Sequence, residues 1–115
     1  MGDELKTGRD GWPDVLVIRV PRDLRDYGEP ELRRLLAPGM HERPVRIALD
    51  MSNVVNCRLA SLNVLMSAMK FARQADGDVR LFAVPHQVTQ VLQRLVPTVF
   101  RCYANEDEAV ASFQE

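Results

Sequence analysis

The sequence predicts an α/β domain built on a largely parallel sheet. Apolar runs of strand length recur within residues 14–20, 43–51, 76–84 and 98–103, and segments with helical apolar spacing separate and follow them. Prolines and glycines punctuate the joints between the two kinds of segment. Strands that alternate with helices favour parallel pairing, because a parallel neighbour is reached only through a crossover connection.

Residues 1–13 carry charges, glycines and a proline without a periodic pattern, and are expected to be a flexible lead-in to one domain at 14–115. Trp12 is the one large apolar residue there, placed either against the first strand or partly in solvent. "DVLVIRV" (14–20) is a β-branched strand that Pro21 ends. In the following helix Leu32, Leu35 and Leu36 recur at helical spacing, Pro30 suits the first turn, and Pro38-Gly39 is expected to close it.

"RPVRIALDM" (43–51) is a second strand, with Val45, Ile47, Leu49 and Met51 on one face and Arg46, Ala48 and Asp50 on the other. The next helix is expected from Leu59 to Ala75. Its polar residues Asn63, Ser67, Lys70 and Gln74 form one narrow stripe, so the helix is buried on more than one side by a sheet and by another helix or a partner. A turn and a third strand fill 76–84, and Val88, Val91, Leu92 and Leu95 then define an amphipathic helix beginning after Pro85. "TVFRCY" (98–103) reads as a short strand. Asn105 with Glu108 three residues on signals a final helix that buries Ala109, Val110 and Phe113.

The totals narrow the function. At 115 residues the chain is large enough for one packed core without staples. A formal charge of −1 lacks the basic bias expected of a nucleic-acid binder, and no polybasic tract addresses an anionic membrane. Cys57 and Cys102 stand apart, with no Cys-x-x-Cys, and read as reduced thiols. The first residues lack an apolar signal core and no run reaches spanning length, so a soluble, cytoplasmic protein without direct membrane insertion is expected.

Enzyme readings fare poorly. A phosphate-cradling loop needs glycines between strand and helix, and there is none between Asp50 and Leu65. His41 and His86 read as surface residues, and no ligand set for a metal or other cofactor is present. Cys57 beside Arg58, at a helix start, has the setting of an activated thiol, but a small apolar residue packed at a turn accounts for it better. Asp50 ends a strand as a receiver-type phosphorylation site does. The acidic pair and lysine that such chemistry needs are missing, which leaves it a turn or cap acceptor.

With these residues in order, the chain resembles the STAS domains, the fold of anti-sigma factor antagonists and of the cytoplasmic ends of sulfate transporters. Three stretches carry the resemblance. "VLVIRVPRDLRDYGEPELRRLL" is similar to the family's opening strand, short second strand and first helix. "VRIALDMSNVVNCRLASLNVLMSAMKFAR" is similar to its signature, a strand ending Asp-Leu-Ser-x-Val and a turn into Asp-Ser-Ser-Gly-Leu. "DVRLFAVPHQVTQVLQRLVPTVFRCYANEDEAVASF" is similar to its closing strand, helix, strand and helix. The resemblance implies a mixed, mostly parallel sheet of four to five strands with about four helices packed mainly on one face.

It also implies a bacterial, non-catalytic protein-interaction module of partner-switching signalling and transcription regulation. The implied partner is a GHKL-type anti-sigma kinase, and no cofactor is involved. In such modules the kinase phosphorylates a serine or threonine at the start of the second helix, and the added charge expels the partner. Aligned on Asp50-Met51-Ser52 and Leu62, the family's Asp-Ser-Ser-Gly falls on Arg58, Leu59, Ala60 and Ser61. The phospho-acceptor position is then Ala60, which has no hydroxyl, and the preceding acid is Arg58. Ser61, one helical step or about 100° around, and Ser52 are the alternative hydroxyls, each with a plain role as a turn or helix-start group.

The expected partner surface therefore runs through Asn56, Cys57, Arg58, Leu59, Ala60, Ser61 and Asn63. The alternatives are a scaffold or transporter-associated subunit, or a small-ligand or nucleotide-binding domain using the Arg58 helix end, and a homodimer is compatible with the sequence.

Overall fold

The structure, a computed structural model, describes residues 4–7, 15–20, 29–41, 44–55 and 57–114. Among the described residues nine elements follow one another: β1 (Glu4–Thr7), β2 (Val15–Arg19), α1 (Glu29–Met40), β3 (Arg46–Asp50), α2 (Leu59–Gln74), β4 (Asp78–Phe82), α3 (His86–Leu95), β5 (Cys102–Tyr103) and α4 (Glu106–Ser112). They form one sheet in the order β1-β2-β3-β4-β5. The pairs from β2 to β5 are parallel, and β1 joins β2 antiparallel, with Glu4 opposite Ile18 and Thr7 opposite Val15.

Because each parallel strand is the immediate neighbour of the one before it, every crossover advances in the same direction. Right-handed crossovers then bring α1, α2 and α3 to the same face of the sheet. The core agrees with this layering. Leu32 and Leu36 of α1, Leu62, Leu65 and Met69 of α2, and Val88 and Leu92 of α3 share one buried cluster with Ile18, Ile47, Leu49 and Leu81. α4, which follows β5, covers the other face. There Ala109, Val110 and Phe113 pack with Val15, Val17, Ala48 and Phe82.

The predicted faces of β3 hold: Val45, Ile47, Leu49 and Met51 are fully buried in the three-helix cluster, while Ala48 points to α4. α2 starts at the expected Leu59, and Asn63, Ser67, Lys70 and Gln74 are all exposed along it. Asn105 caps α4 by accepting a hydrogen bond from the Glu108 N–H at 2.9 Å, as the spacing predicts.

The structure differs from the sequence expectations at four places. β1 lies inside the stretch expected to be a flexible lead-in; it is four residues long and held by backbone pairing at a sheet edge, which leaves no apolar period to read. α1 continues through Pro38 and Gly39 to Met40. Pro38 removes one N–H from the last turn without ending it, and Gly39 lets the helix sit directly on Ile47, whose side chain an added Cβ would strike. The strand expected over 98–103 shrinks to Cys102–Tyr103. Thr98 takes a left-handed φ of 61°, and the Val99 N–H closes a turn on the Val96 carbonyl. Leu95, the last member of the α3 stripe, is 47% exposed at the C-terminal end of the helix, while Val88 and Leu92 are buried. Trp12 and the short second strand expected after Val20 fall outside the described residues.

Candidate functional site

The junction from β3 to α2 sits at the C-terminal edge of the parallel strands, where open α/β sheets present their functional groups. Its path is determined by alternating anchors. Met51 is buried, and its N–H donates to the Phe82 carbonyl at 3.0 Å, continuing the β3–β4 ladder by one residue. Ser52 and Asn53 then turn outward, and the Val54 N–H closes the turn on the Met51 carbonyl at 3.0 Å. Asp50 shapes the same turn: its Oδ1 accepts from the Ser52 N–H at 3.0 Å, and its Oδ2 faces Arg19 Nε at 3.6 Å. Asp50 is thus the turn acceptor that the sequence suggests.

Val54 plugs back into the core at 1% exposure, and Val55, next to it, is 54% exposed. The two consecutive valines therefore meet opposite surroundings, one the core and one the outside of the junction. Cys57 is half-buried against the edge of the main cluster, which favours its packing role. Arg58 is extended (φ −115°, ψ 165°) at the N-cap of α2 and supplies no side-chain cap, and the first turn of α2 holds no acid. The Leu62 N–H bonds back to the Arg58 carbonyl at 3.1 Å, so the helix begins there on backbone bonding.

Among the predicted surface residues, Arg58, Leu59 and Asn63 are exposed, Ala60 and Cys57 half-buried. Leu59 is 58% exposed, the most exposed of the described large apolar side chains. Asn56 lies outside the described residues. Ser61 is a correction: it is 3% exposed and faces inward beside Leu62, so it offers no surface to a partner and no accessible hydroxyl. The reason is helical geometry, since the buried face of α2 is wide enough to take in Ser61, Leu62, Val64 and Leu65. Ser52 is exposed, with its backbone tied to Asp50.

What the sequence reading missed is Val55, which with Leu59 makes the junction apolar on its outside. The Val54-Val55 pair was the available signal. His41 and His86 are both exposed, as expected of surface residues. Among the described residues no group of three His, Cys, Asp or Glu side chains converges as a metal site would require. Among them, too, no helix is long and apolar enough to cross a membrane.

A model of the STAS domain matches residues 9–109. The chain belongs to the STAS family. This STAS domain is similar in fold to an anti-sigma-factor antagonist (STAS) domain protein from Planctomyces limnophilus, with a TM-score of 0.75 and 19% identity over 98% of this chain and 99% of that one. It is similar to a putative anti-sigma factor antagonist from Thermotoga maritima, with a TM-score of 0.75 and 17% identity over 97% and 95% of the two chains. It also matches part of the murine Solute Carrier 26 family member A9 anion transporter, with a TM-score of 0.66 and 15% identity, over 88% of this chain and 17% of the transporter. No curated protein matches the chain in sequence.

Proposed function

We propose that this STAS domain is a non-catalytic docking module of the anti-sigma factor antagonist kind, without the serine phosphoswitch. The observation that carries the reading is the chemistry of the β3–α2 junction. It presents exposed Val55, Leu59 and Arg58, carries Ala60 where the acceptor hydroxyl would stand, and buries the neighbouring Ser61. Exposed apolar side chains beside a cation suit a partner surface, since burying them on association recovers the free energy lost in leaving them wet. Without a hydroxyl at position 60, phosphate cannot be added there, so docking would be regulated by partner supply.

The proposed partner is a GHKL-type anti-sigma kinase in a bacterial cytoplasm, and a homodimer through the same surface is the competing use of it. The test is crosslinked capture from the native cytoplasm, with intact-mass measurement of the captured bait. The reading requires a GHKL-type kinase and a bait without added phosphate; phosphate on Ser52 would show a switch in another place. Binding to the recovered kinase should fall at least about tenfold in Leu59→Glu and Val55→Glu, residues exposed enough to leave the circular dichroism spectrum unchanged.

A second reading, a transporter-associated subunit or scaffold, is favoured by the likeness to part of an anion transporter. It predicts a membrane-protein partner in the same capture and no kinase.

A further inference from the structure

β5 stands at one edge of the sheet, and among the described residues no strand pairs with its open side. The direction of its backbone groups follows from the register. The Arg101 and Tyr103 carbonyls accept from the Leu81 and Ala83 N–H groups at 2.9 and 3.1 Å. Backbone groups of successive strand residues point to opposite edges, so the N–H and C=O of Cys102, between them, face outward. Cys102 is exposed, as are Arg101 before it and Ala104 after it. An open edge of this kind is a template for another strand. Because β5 is so short, backbone pairing alone gives little specificity, and the side chains at its two ends select the strand that fits.

Those ends carry opposite charge. Between residues 87 and 101 the charged side chains are Arg94 and Arg101; between 103 and 114 they are Glu106, Asp107 and Glu108. Tyr103 packs against the α4 cluster, and Arg101, two residues earlier in the chain, shares its face. Arg101 has no ion pair among the described residues. The other charges near it, Arg73, Asp78 and Arg80, bond one another. At the far end of the strand, Glu108 Oε1 accepts from the Ala104 N–H at 3.4 Å, which holds the carboxylate just past Tyr103. The edge is therefore complementary to itself. A second copy, turned about a two-fold axis at Cys102, brings its Tyr103 and the adjoining Glu108 opposite Arg101, and receives the same contact in return. Parallel alignment would instead set Arg101 against Arg101 and acid against acid.

We propose that two copies of the chain pair antiparallel through their β5 edges, centred on Cys102, with Arg101 of each copy paired to Glu108 of the other. The two Cys102 residues then exchange both backbone bonds, which sets their Cα atoms about 5.5 Å apart. The contact is small and its ion pairs are exposed, so the dimer is weak and exchanges with monomer. The edge is distinct from the β3–α2 junction, and the inference does not rest on the docking role proposed there.

The test is sedimentation of the full, reduced chain at low and high salt, up to about 1 mM, a range that populates weak pairs. The expected result is a concentration-dependent monomer–dimer equilibrium that raised salt weakens at least about threefold. Arg101→Glu and Glu108→Arg should each weaken the dimer at least about fivefold, since each sets like charges opposite one another. An equimolar mixture of the two variants should recover the dimer, because the reversed charges then match; that recovery also shows that both variants are folded. In a Cys57→Ser background, copper phenanthroline in air should join the two Cys102 thiols. A Cα separation of about 4.4–6.8 Å suits that bond. The thiols give two electrons and two protons to dioxygen, which leaves a disulfide and hydrogen peroxide. Glu108→Arg should slow this link at least about fivefold. A chain monomeric throughout would overturn the proposal and leave the edge to a strand of another protein. Charge variants that associate like the parent, a mixture that stays monomeric, or a dimer broken by Leu59→Glu instead would each overturn it as well.

Discussion

The carboxylate of Asp50 accepts a hydrogen bond from the backbone N–H of Ser52 at 3.0 Å. This bond folds the chain back just past the end of β3, and it sets the direction in which Val54 goes into the core and Val55 goes out. Its second oxygen faces Arg19 across the β2–β3 pair, where the two residues are also opposite in the register. Arg19 is more than half exposed and the separation is 3.6 Å, so the ion pair contributes at most a few tenths of a kcal/mol to about 1 kcal/mol. The turn bond is the more important of the two. Asp50→Ala should cost about 1 kcal/mol in urea unfolding and weaken partner binding several-fold through the loosened loop. Asp50→Asn keeps an acceptor at Oδ1 and should stay within about 0.5 kcal/mol of the parent. Equal losses in the two variants would assign the effect to charge and contradict the turn-bond account.

How far the sequence reveals this site depends on the range of the interactions involved. The start of α2 at Leu59 was readable because a wide apolar period begins there, and the β3 alternation announced which residues meet the helices. The inward turn of Ser61 was not readable from its type, since serine is neutral to burial and only the angular position on α2 decides. β1 was unreadable because four edge residues carry no period. The β5 segment misled for a related reason: "TVFRCY" has strand composition, yet the left-handed Thr98 diverts its first half into a turn.

Asp78 joins three elements that no local pattern connects. Its Oδ1 accepts from Arg73 Nε at 2.9 Å and from the Val79 N–H at 2.9 Å, and its Oδ2 accepts from Arg80 Nε at 3.0 Å. Arg80 then donates to Ser112 Oγ at 2.7 Å and lies 4.3 Å from the centre of the Phe113 ring, which fastens α4 to the sheet. Arg73 reaches the Val99 carbonyl at 3.1 Å, so the turn after α3 belongs to the same network. Asp78→Ala strands a largely buried Arg80 and should cost about 2–4 kcal/mol, read as a shift in the urea midpoint. Arg73→Ala, at a side chain 44% exposed, should cost less than about 1 kcal/mol. A larger loss for Arg73 than for Asp78 would contradict the network as drawn.

Cys102 is the thiol whose surroundings hold back its ionisation. Its side chain is exposed, and the part of its surroundings that covers it raises its pKa above the ordinary thiol value, because the thiolate is the form that loses hydration. The direction fixes the pH dependence. A folded pKa above the unfolded one means that this group's contribution is complete below the ordinary thiol range and is lost as pH climbs through it towards the folded value. In a Cys57→Ser background, iodoacetamide should therefore label Cys102 more slowly in the native chain than in urea at pH 8. Stability should fall on the alkaline side, and Cys102→Ala should flatten that fall. Native labelling as fast as in urea would contradict the account.

Arg58 at the head of α2 is unfavourable for the helix it begins. It provides no side-chain cap, and its charge opposes the positive end of the helix dipole. Arg58→Asp supplies a capping acceptor and an anion at that end, and should stabilise the domain by about 1–2 kcal/mol. The corresponding rise in Tm is about 5 °C or more. If Arg58 serves docking, the same variant should weaken partner binding at least about tenfold, because it reverses the charge beside exposed Leu59. Adding Ala60→Ser in that background supplies the acid and the hydroxyl that the proposed switch position lacks, and a kinase partner should then transfer phosphate to residue 60. A variant that is more stable, binds unchanged and accepts no phosphate would remove Arg58 from the interface and leave its cost to the helix unexplained by function.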